Sequence, residues 1–565
     1  LLKVDIRIDG RHLNTVVYSK PLTVSEIEND NDLVRFTPMV FKVDNEYVQR
    51  SLSLSKDTRL DCISYATFDG QRIYQDTAIF IMMKAFRRIF PPELKLVVQH
   101  SIGDGVYCRI TDEEDRYVDD RVNEDTVNRL REEMGKIVES AFPIESRSLS
   151  LTEARTVFEG KKRWDMQLNL EFLDSDRITV FKCGDYYDYY IRQLAENTSS
   201  ISLYDIILFG HGIILRFPER IPNAPEGKLV LRQEAAYHNK LFDAHREHDR
   251  WLRILGVDYV GQLNTLTKHY EIADMIYVEE ALHEKKVAQI ADLIKEHNEA
   301  RIVLIAGPSS SGKTTFAKRL SVQLRVNGLV PMVVGLDDYF LPRHLTPKKP
   351  GGDYDYECIE ALDLPLLNDH LTRLLAGEEV KLPRYNFHNG SREEGQVPIR
   401  MRENNILVME GIHGLNDRLT AAIPPEHKVR VYVSPLNQLN IDRHNRIPTT
   451  DNRKIRRMVR DSRYRGYSAE QTLLRWDSIR EGEEIYIFPY QENADVMFNS
   501  SLTYELGVLK KHAMPLLAQI REYSPVYLEA RRLMQLLEHF RDIEDFYIPS
   551  NSILREFTFG SMFKY

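Results

Sequence analysis

Short runs of alternating apolar and polar residues open the chain: VDIRIDG, MVFKVDNEYV and LDCISYATFDG, each bounded by Asp, Asn or Gly. A period of two closed by turn residues predicts strands, and their succession predicts a small β domain over residues 1–68. From Tyr74 to Phe90 the period lengthens, because apolar positions in YQDTAIFIMMKAFRRIF recur at helical spacing until Pro91 and Pro92 stop them. A second helix is predicted in VNEDTVNRLREEMGKIVESAF, whose acidic start suits the positive end of the helix dipole and which closes before Pro143. The strand-like pieces GVYCRIT and RITVFKCG complete an α+β domain over residues 69–218.

The proline-rich FPERIPNAPEG then reads as a linker, followed by charged amphipathic helices at Gln233–Leu255 and Ala273–Asn298, a helical connector over residues 219–298. Beyond it the texture changes to strand and helix in alternation: RIVLIAG, a helix to Gly328, PMVVGLDD, a helix around Leu362–Leu375, NNILVMEG and HKVRVYVS. That order predicts a doubly wound parallel sheet over residues 299–510, with a helical tail at 511–565. The expected class is multidomain α/β, which 565 residues require, since a single core stops growing well below that length.

Composition narrows the partners. With 42 % hydrophobic and 28 % charged residues and a formal charge of −9, the chain reads as a soluble globular protein and not as a wholesale binder of nucleic acid or membrane surfaces. Cys62, Cys108, Cys183 and Cys358 lie far apart, so neither a disulfide framework nor a cysteine zinc site is expected. No apolar run approaches a membrane span and LLKVDIRIDG lacks a signal-peptide layout, so the cytoplasm is the expected compartment. His238, His245 and His248 have charged neighbours and read as a solvated helix face.

The chemistry starts at GPSSSGKTT, residues Gly307, Pro308, Ser309, Ser310, Ser311, Gly312, Lys313, Thr314 and Thr315. Glycines at this spacing, directly after the apolar IVLIA and opening a helix, let backbone N–H groups wrap phosphates. Lys313 supplies positive charge and Thr314 a hydroxyl for Mg²⁺. Ligand groups in parallel sheets gather at the carboxyl ends of strands, where Asp337 closes MVVGLDD and Glu410 closes NILVMEG. Such an acid serves as a magnesium ligand or as the base for an attacking hydroxyl. Downstream, RKIRRMVRDSRYRG carries Arg453, Arg456, Arg457 and Arg460 largely on one helical face, then Arg463 and Arg465, as a lid over a transferring phosphate requires.

In their order, GPSSSGKTT, LDDYF, YDYE, LPRYNF, MEG and RRMVRDSRYRG resemble the uridine/cytidine kinase and phosphoribulokinase superfamily over residues 300–500. The resemblance implies ATP or GTP as phosphoryl donor, Mg²⁺ as cofactor and a nucleoside or related ribosyl acceptor. It makes Asp337 the catalytic base and a metal neighbour, Glu410 the acid that positions Mg²⁺ beside Thr314, and Asp355 the acid on the ribose hydroxyls. It gives Tyr339, Phe340, Tyr385 and Phe387 to the acceptor pocket, and Arg457, Arg460 and Arg465 to the lid. Where uridine kinases carry a His after the aromatic pair, this chain has Gly390, and Tyr467 replaces one lid arginine. A kinase of another ribosyl acceptor therefore stays open, as does a nucleotide-hydrolysing RNA-binding or regulatory protein.

The stretch VFKVDNEYVQRSLSLSKDTRLDCISYATFDG resembles a TGS domain, and the region after it the second, editing-type domain of threonyl-tRNA synthetases. An RNA contact by this half and a homo-oligomer are what the resemblances imply. The editing domain's zinc needs HxxxH on its first helix and a later Cys and His. Here that helix has no His, and the later pair corresponds to Tyr190 and Leu194, which cannot hold zinc, so no deacylase activity is expected.

Overall fold

The computed structural model describes residues 1–221, 229–233, 239–349, 352, 354–386, 389–393, 395 and 398–564. The first five labelled strands are β1 (Leu2–Ile8), β2 (Arg11–Tyr18), β3 (Pro38–Val43), β4 (Glu46–Val48) and β5 (Thr58–Ser64). They pair in the order β2-β1-β5-β3-β4, with β1 and β5 parallel. Alternation places Leu2, Val4 and Ile6 of β1 in one core with Phe41 and Leu60.

Helix α1 (Phe68–Ile89) starts before the expected Tyr74, because the Thr67 side chain accepts the Gly70 amide and caps it. Strands β6 (Lys95–Ile102) and β7 (Gly105–Thr111) precede α2 (Glu124–Glu139), and β8 (Glu145–Ser150), β9 (Arg177–Cys183) and β10 (Tyr186–Tyr189) form a separate antiparallel sheet. Strands β11 (Asp205–Phe209) and β12 (Gly212–Arg216) return to give the order β11-β12-β7-β6. Tyr190 and Leu194 lie inside the core built on α1, where burial pushes the Tyr190 phenol well above its usual pKa. A neutral phenol and an alkyl chain are not zinc ligands, so metal analysis of the purified protein is expected to find no stoichiometric zinc.

The linker expected from FPERIPNAPEG falls mostly on residues 222–228, and His238 on 234–238, both outside the described residues. Helix α3 (Asn239–Leu255) corrects the histidine expectation: His245 and His248 are buried, not solvated. His245 stacks on His100 of β6 at 3.7 Å and bonds Gln438 Nε2 through Nδ1 at 2.7 Å. Uncharged imidazoles suffice as core rings, and burial lowers His248 to about 4.

Helix α4 (Ile272–Glu296) leads into the second half, where β13 (Ile302–Ala306) runs into α5 (Lys313–Val326). With β14 (Val330–Gly335), α6 (Leu364–Leu375), β15 (Asn405–Glu410), β16 (Lys428–Ser434) and β17 (Val496–Asn499), it makes a parallel sheet in the order β14-β15-β13-β16-β17. Both faces are covered: Ile302 and Leu304 meet Leu367 and Leu371 of α6, whereas Val303 and Ile305 face α4 and α5. The remaining labelled helices are α7 (Thr449–Tyr464), α8 (Trp476–Tyr486), α9 (Glu505–Leu517) and α10 (Tyr527–Glu538).

Two expected boundaries change. The break at 510/511 falls inside α9, and the connector, the sheet and the tail share one hydrophobic core from Val257 to Phe557. Pro515 is tolerated within α9 only near its end, so the helix carries the chain straight from sheet to tail.

Candidate active site

The cradle lies at the carboxyl edge of the sheet, between the end of β13 and the first turn of α5. Gly307 must lack a side chain, since a Cβ there would fall 1.9 Å from the Val433 carbonyl oxygen on β16. The Ser310 and Ser311 hydroxyls are buried without a hydrogen-bond partner, donors of the kind that phosphate oxygens take up. Lys313 folds over the loop, donating to Gly307 O at 2.9 Å and Pro308 O at 3.0 Å. Burial lowers its pKa, and Glu410, Glu556 and Asp337 pull it back up.

Glu410, the last residue of β15, accepts the Thr314 hydroxyl at 2.9 Å. Burial raises its carboxyl pKa; Lys313 opposes the rise and Asp337 adds to it. A carboxylate and a hydroxyl side by side are hard oxygen donors of the sort Mg²⁺ takes. Asp337 stands in the turn after β14, open to the cleft. The cleft walls deprive it of bulk hydration, so its pKa rises despite the attraction of Lys313, with Asp338 adding to the rise.

Beside Asp337, Asp338 Oδ1 accepts the Tyr385 amide at 3.2 Å, and Phe340 meets Tyr385 at 5.6 Å and Tyr356 at 6.3 Å between ring centroids. Asp355 accepts Tyr486 Oη at 3.2 Å and the Glu357 amide at 3.1 Å. Burial and the facing Glu483 raise Glu357 to about 7. Tyr339 departs from expectation: it is 1 % exposed, in the core beneath the sheet, with its hydroxyl 3.1 Å from His370 Nδ1. In the pattern LDDYF the chain turns sharply after Asp337, which sends this ring inward and leaves Phe340 for the cleft. Phe387 lies outside the described residues. Gly390 has a φ of +67°, and a Cβ there would sit 2.6 Å from Arg343 Nε, so the Arg343 side chain occupies the space a side chain at 390 would need.

The arginines of α7 divide by depth. Arg453 and Arg456 are buried in ion pairs, with Glu483 and Glu505 respectively, and Arg453 Nε also holds Ser309 O at 2.8 Å. Arg453 fixes the cradle to α7 and α8, and Arg456 ties α7 to the start of α9. Arg457, Arg460 and Arg465 gather round one carboxylate, Asp461, at 3.2, 3.0 and 3.6 Å, and Arg457 also donates to the Ser309 hydroxyl. Three cations are thereby held beside the cradle.

Sequence reasoning missed three acids here. Glu483 accepts the Ser309 amide at 2.9 Å, Glu556 accepts the Thr315 amide and hydroxyl at 3.3 and 2.7 Å, and Asp461 organises the arginines. Asp461 sits visibly within RRMVRDSRYRG, where an acid among five arginines is a signal; Glu483 and Glu556 are far from any motif.

The Phosphoribulokinase / Uridine kinase family matches residues 302–506. A uridine kinase of Deinococcus deserti is 26 % identical over 197 residues, covering 35 % of this chain and 86 % of that protein. Uridine-cytidine kinase B of Dictyostelium discoideum is 24 % identical over 197 residues, 35 % of this chain and 73 % of that protein. Among solved structures, a D-glycerate 3-kinase from Cryptococcus neoformans covers 45 % of this chain and 87 % of its own at 16 % identity, with a TM-score of 0.22. A possible uridine kinase from Bacillus stearothermophilus covers 35 % and 88 % at 20 % identity, with a TM-score of 0.24. The matched segment runs from β13 past α8, so residues 302–506 constitute a phosphoribulokinase/uridine kinase family domain and the chain is a P-loop phosphotransferase.

Proposed function

We propose that the chain transfers the γ-phosphoryl group of ATP or GTP to the 5′-hydroxyl of a nucleoside. The observation that carries the reading is Asp337, a solvent-facing carboxylate in the field of the cradle lysine, whose neighbour Asp338 holds the Tyr385 amide while the Tyr385 ring lies beside Phe340. In this reading Asp337 orients the acceptor hydroxyl and takes its proton, and its raised pKa suits it to that transfer. Lys313, Arg460 and Arg465 offset charge on the phosphoryl oxygens, while Arg457 bridges lid and cradle. Thr314 and Glu410 would hold Mg²⁺, which neutralises charge on the donor phosphates. Asp355, fixed by Tyr486, would take the ribose hydroxyls, and the Phe340 and Tyr385 rings would flank the base. Residues 1–218 we read as TGS-like and synthetase-like modules, on the strength of their sequence resemblance.

A second reading has its own observation. Arg343 fills the space at Gly390, so a base-reading side chain from that position is replaced by a guanidinium, and an acceptor other than a pyrimidine nucleoside is favoured. Transfer from labelled ATP and GTP to nucleosides, deoxynucleosides and other ribosyl compounds tests both. The nucleoside reading expects at least one nucleoside to raise donor consumption about tenfold or more above the acceptor-free rate. Turnover only with non-nucleoside acceptors supports the second reading. Turnover indifferent to every acceptor sinks both and leaves a nucleotide hydrolase.

A further inference from the structure

The carboxyl-terminal tail enters the cradle. Glu556 lies in the turn Ile553–Glu556 and is 8 % exposed, and its Oε2 accepts both the amide and the hydroxyl of Thr315. Thr315 is the third residue of α5, where first-turn amides have no partner within the helix. In a cradle of this kind those amides are the groups that bind phosphate, and the dipole at that end favours any anion placed there. A carboxylate from the chain itself holds the position.

The surroundings make this a built contact. Ile553 packs on the last cradle glycine, its Cγ2 lying 2.7 Å from where a Cβ on Gly312 would be. Arg555 pins the tail by donating to Asp545 O at 2.8 Å and Ile548 O at 2.7 Å. On its other side the tail rests on the arginine helix: Arg463 donates to Phe557 O at 3.3 Å, Arg456 lies 5.1 Å over the Phe557 ring, and Tyr464 Oη donates to Thr558 O at 3.4 Å. The tail thus spans the cradle and the helix that carries Arg457 and Arg460 and ends just before Arg465. A second carboxylate, Glu483, holds Ser309 N, but it is also paired with Arg453, whereas Glu556 takes the neutral amide and hydroxyl of Thr315 and meets Lys318 through charge. The Glu556 charge reaches Lys313, whose protonated form it favours, and Glu410, whose ionisation it opposes. A nucleotide would bring further negative charge to the same few amides and the same lysine.

We propose that the tail is an autoinhibitory strap: Glu556 competes with a nucleotide phosphate for Thr315 and must release it before the cradle fills. The proposal rests on the cradle binding ATP and not on the identity of the acceptor. Like charges cannot share one set of donors, so nucleotide binding and tail docking oppose each other, and anything that draws the tail away opens the site.

The test uses the full chain and MgATP without acceptor. Glu556→Gln keeps the side chain's length and an oxygen for Thr315 but removes the charge, and it is expected to tighten MgATP binding about tenfold by titration calorimetry. Unchanged or weaker binding would overturn the proposal and make the tail a support for the cradle. Hydrogen exchange of the unmutated chain is an independent reading that needs no variant. Residues 552–560 are expected to exchange faster when ATP is added, and slower exchange, as for a clamp closing over nucleotide, overturns the proposal as well. If neither protein binds MgATP the proposal falls together with the nucleotide reading. Tightening by Glu556→Gln with no acceptor ever phosphorylated would leave the strap standing and remove only the nucleoside assignment.

Discussion

Lys313→Ala is expected to lower phosphoryl transfer by at least ~10³-fold, about 4 kcal/mol of transition-state stabilisation, and to weaken nucleotide binding with it. The side chain leans on the carbonyls of Gly307 and Pro308 with Glu410 and Asp337 in its field, so in the proposed reading it is the cradle's own cation between the donor phosphates and the base. Asp337→Asn separates the two sides. It removes a charge that opposes phosphate and leaves the cradle intact, so MgATP binding is expected to hold or improve while transfer falls by ~10²–10⁴-fold. Single-turnover rates and equilibrium binding on both variants check the pair. Equal losses in binding and transfer for Asp337→Asn would show that the carboxylate anchors nucleotide and is not the base.

The cradle could be read from sequence because its parts are consecutive and their spacing is set by backbone geometry: Gly307 by the approach of Val433 and Lys313 by the helix it opens. Asp337 and Glu410 were visible for a related reason, since each ends an apolar run and strand ends in a parallel sheet point to one edge. What escaped comes from far along the chain. Glu556 reaches Thr315 across 241 positions and Glu483 reaches Ser309 across 174, and no local pattern encodes such a meeting. The buried His245 escaped because a neutral imidazole packs as an aromatic ring, while its charged neighbours describe only the opposite helix face. The resemblance of LDDYF gives Tyr339 to the pocket, but the turn over Leu336–Tyr339 sends the ring to the core. Periodicity divided the chain at 510/511, yet α9 joins both sides because its apolar face is continuous.

Arg163→Ala is expected to destabilise the docking of the two halves by about 3–5 kcal/mol, the usual cost of breaking a buried ion pair from one side. Arg163 sits between Asp165 at 2.9 Å and Asp188 at 3.1 Å from the amino-terminal half and Asp442 at 3.0 Å from the kinase half. All three acids are 0 % exposed, so its loss strands negative charge in a dry interface, with Arg443 and His444 left to meet it. Mutation of an exposed pair such as Arg116 with Glu114 is expected to cost less than ~1 kcal/mol, which provides the control. The pH dependence follows from the same network. Burial pushes Asp165 up, but Arg163 and Arg443 outweigh it and bring it to about 2; His444 and Arg163 likewise hold Asp188 far below the ordinary carboxylate range. For groups depressed in the folded state, the stabilisation is complete above the unfolded value near ~4 and fades as pH falls below it. Asp442, sharing Arg163 with Asp165, is raised and partly offsets this gain. Urea unfolding followed separately in each half should therefore show a first transition that comes earlier as pH falls below about 4, and earlier at every pH in Arg163→Ala. A transition in the variant that coincides with the wild type at pH 7 would mean that the apolar contacts alone hold the halves together, and that the buried charges set their register without contributing to the strength of the joint.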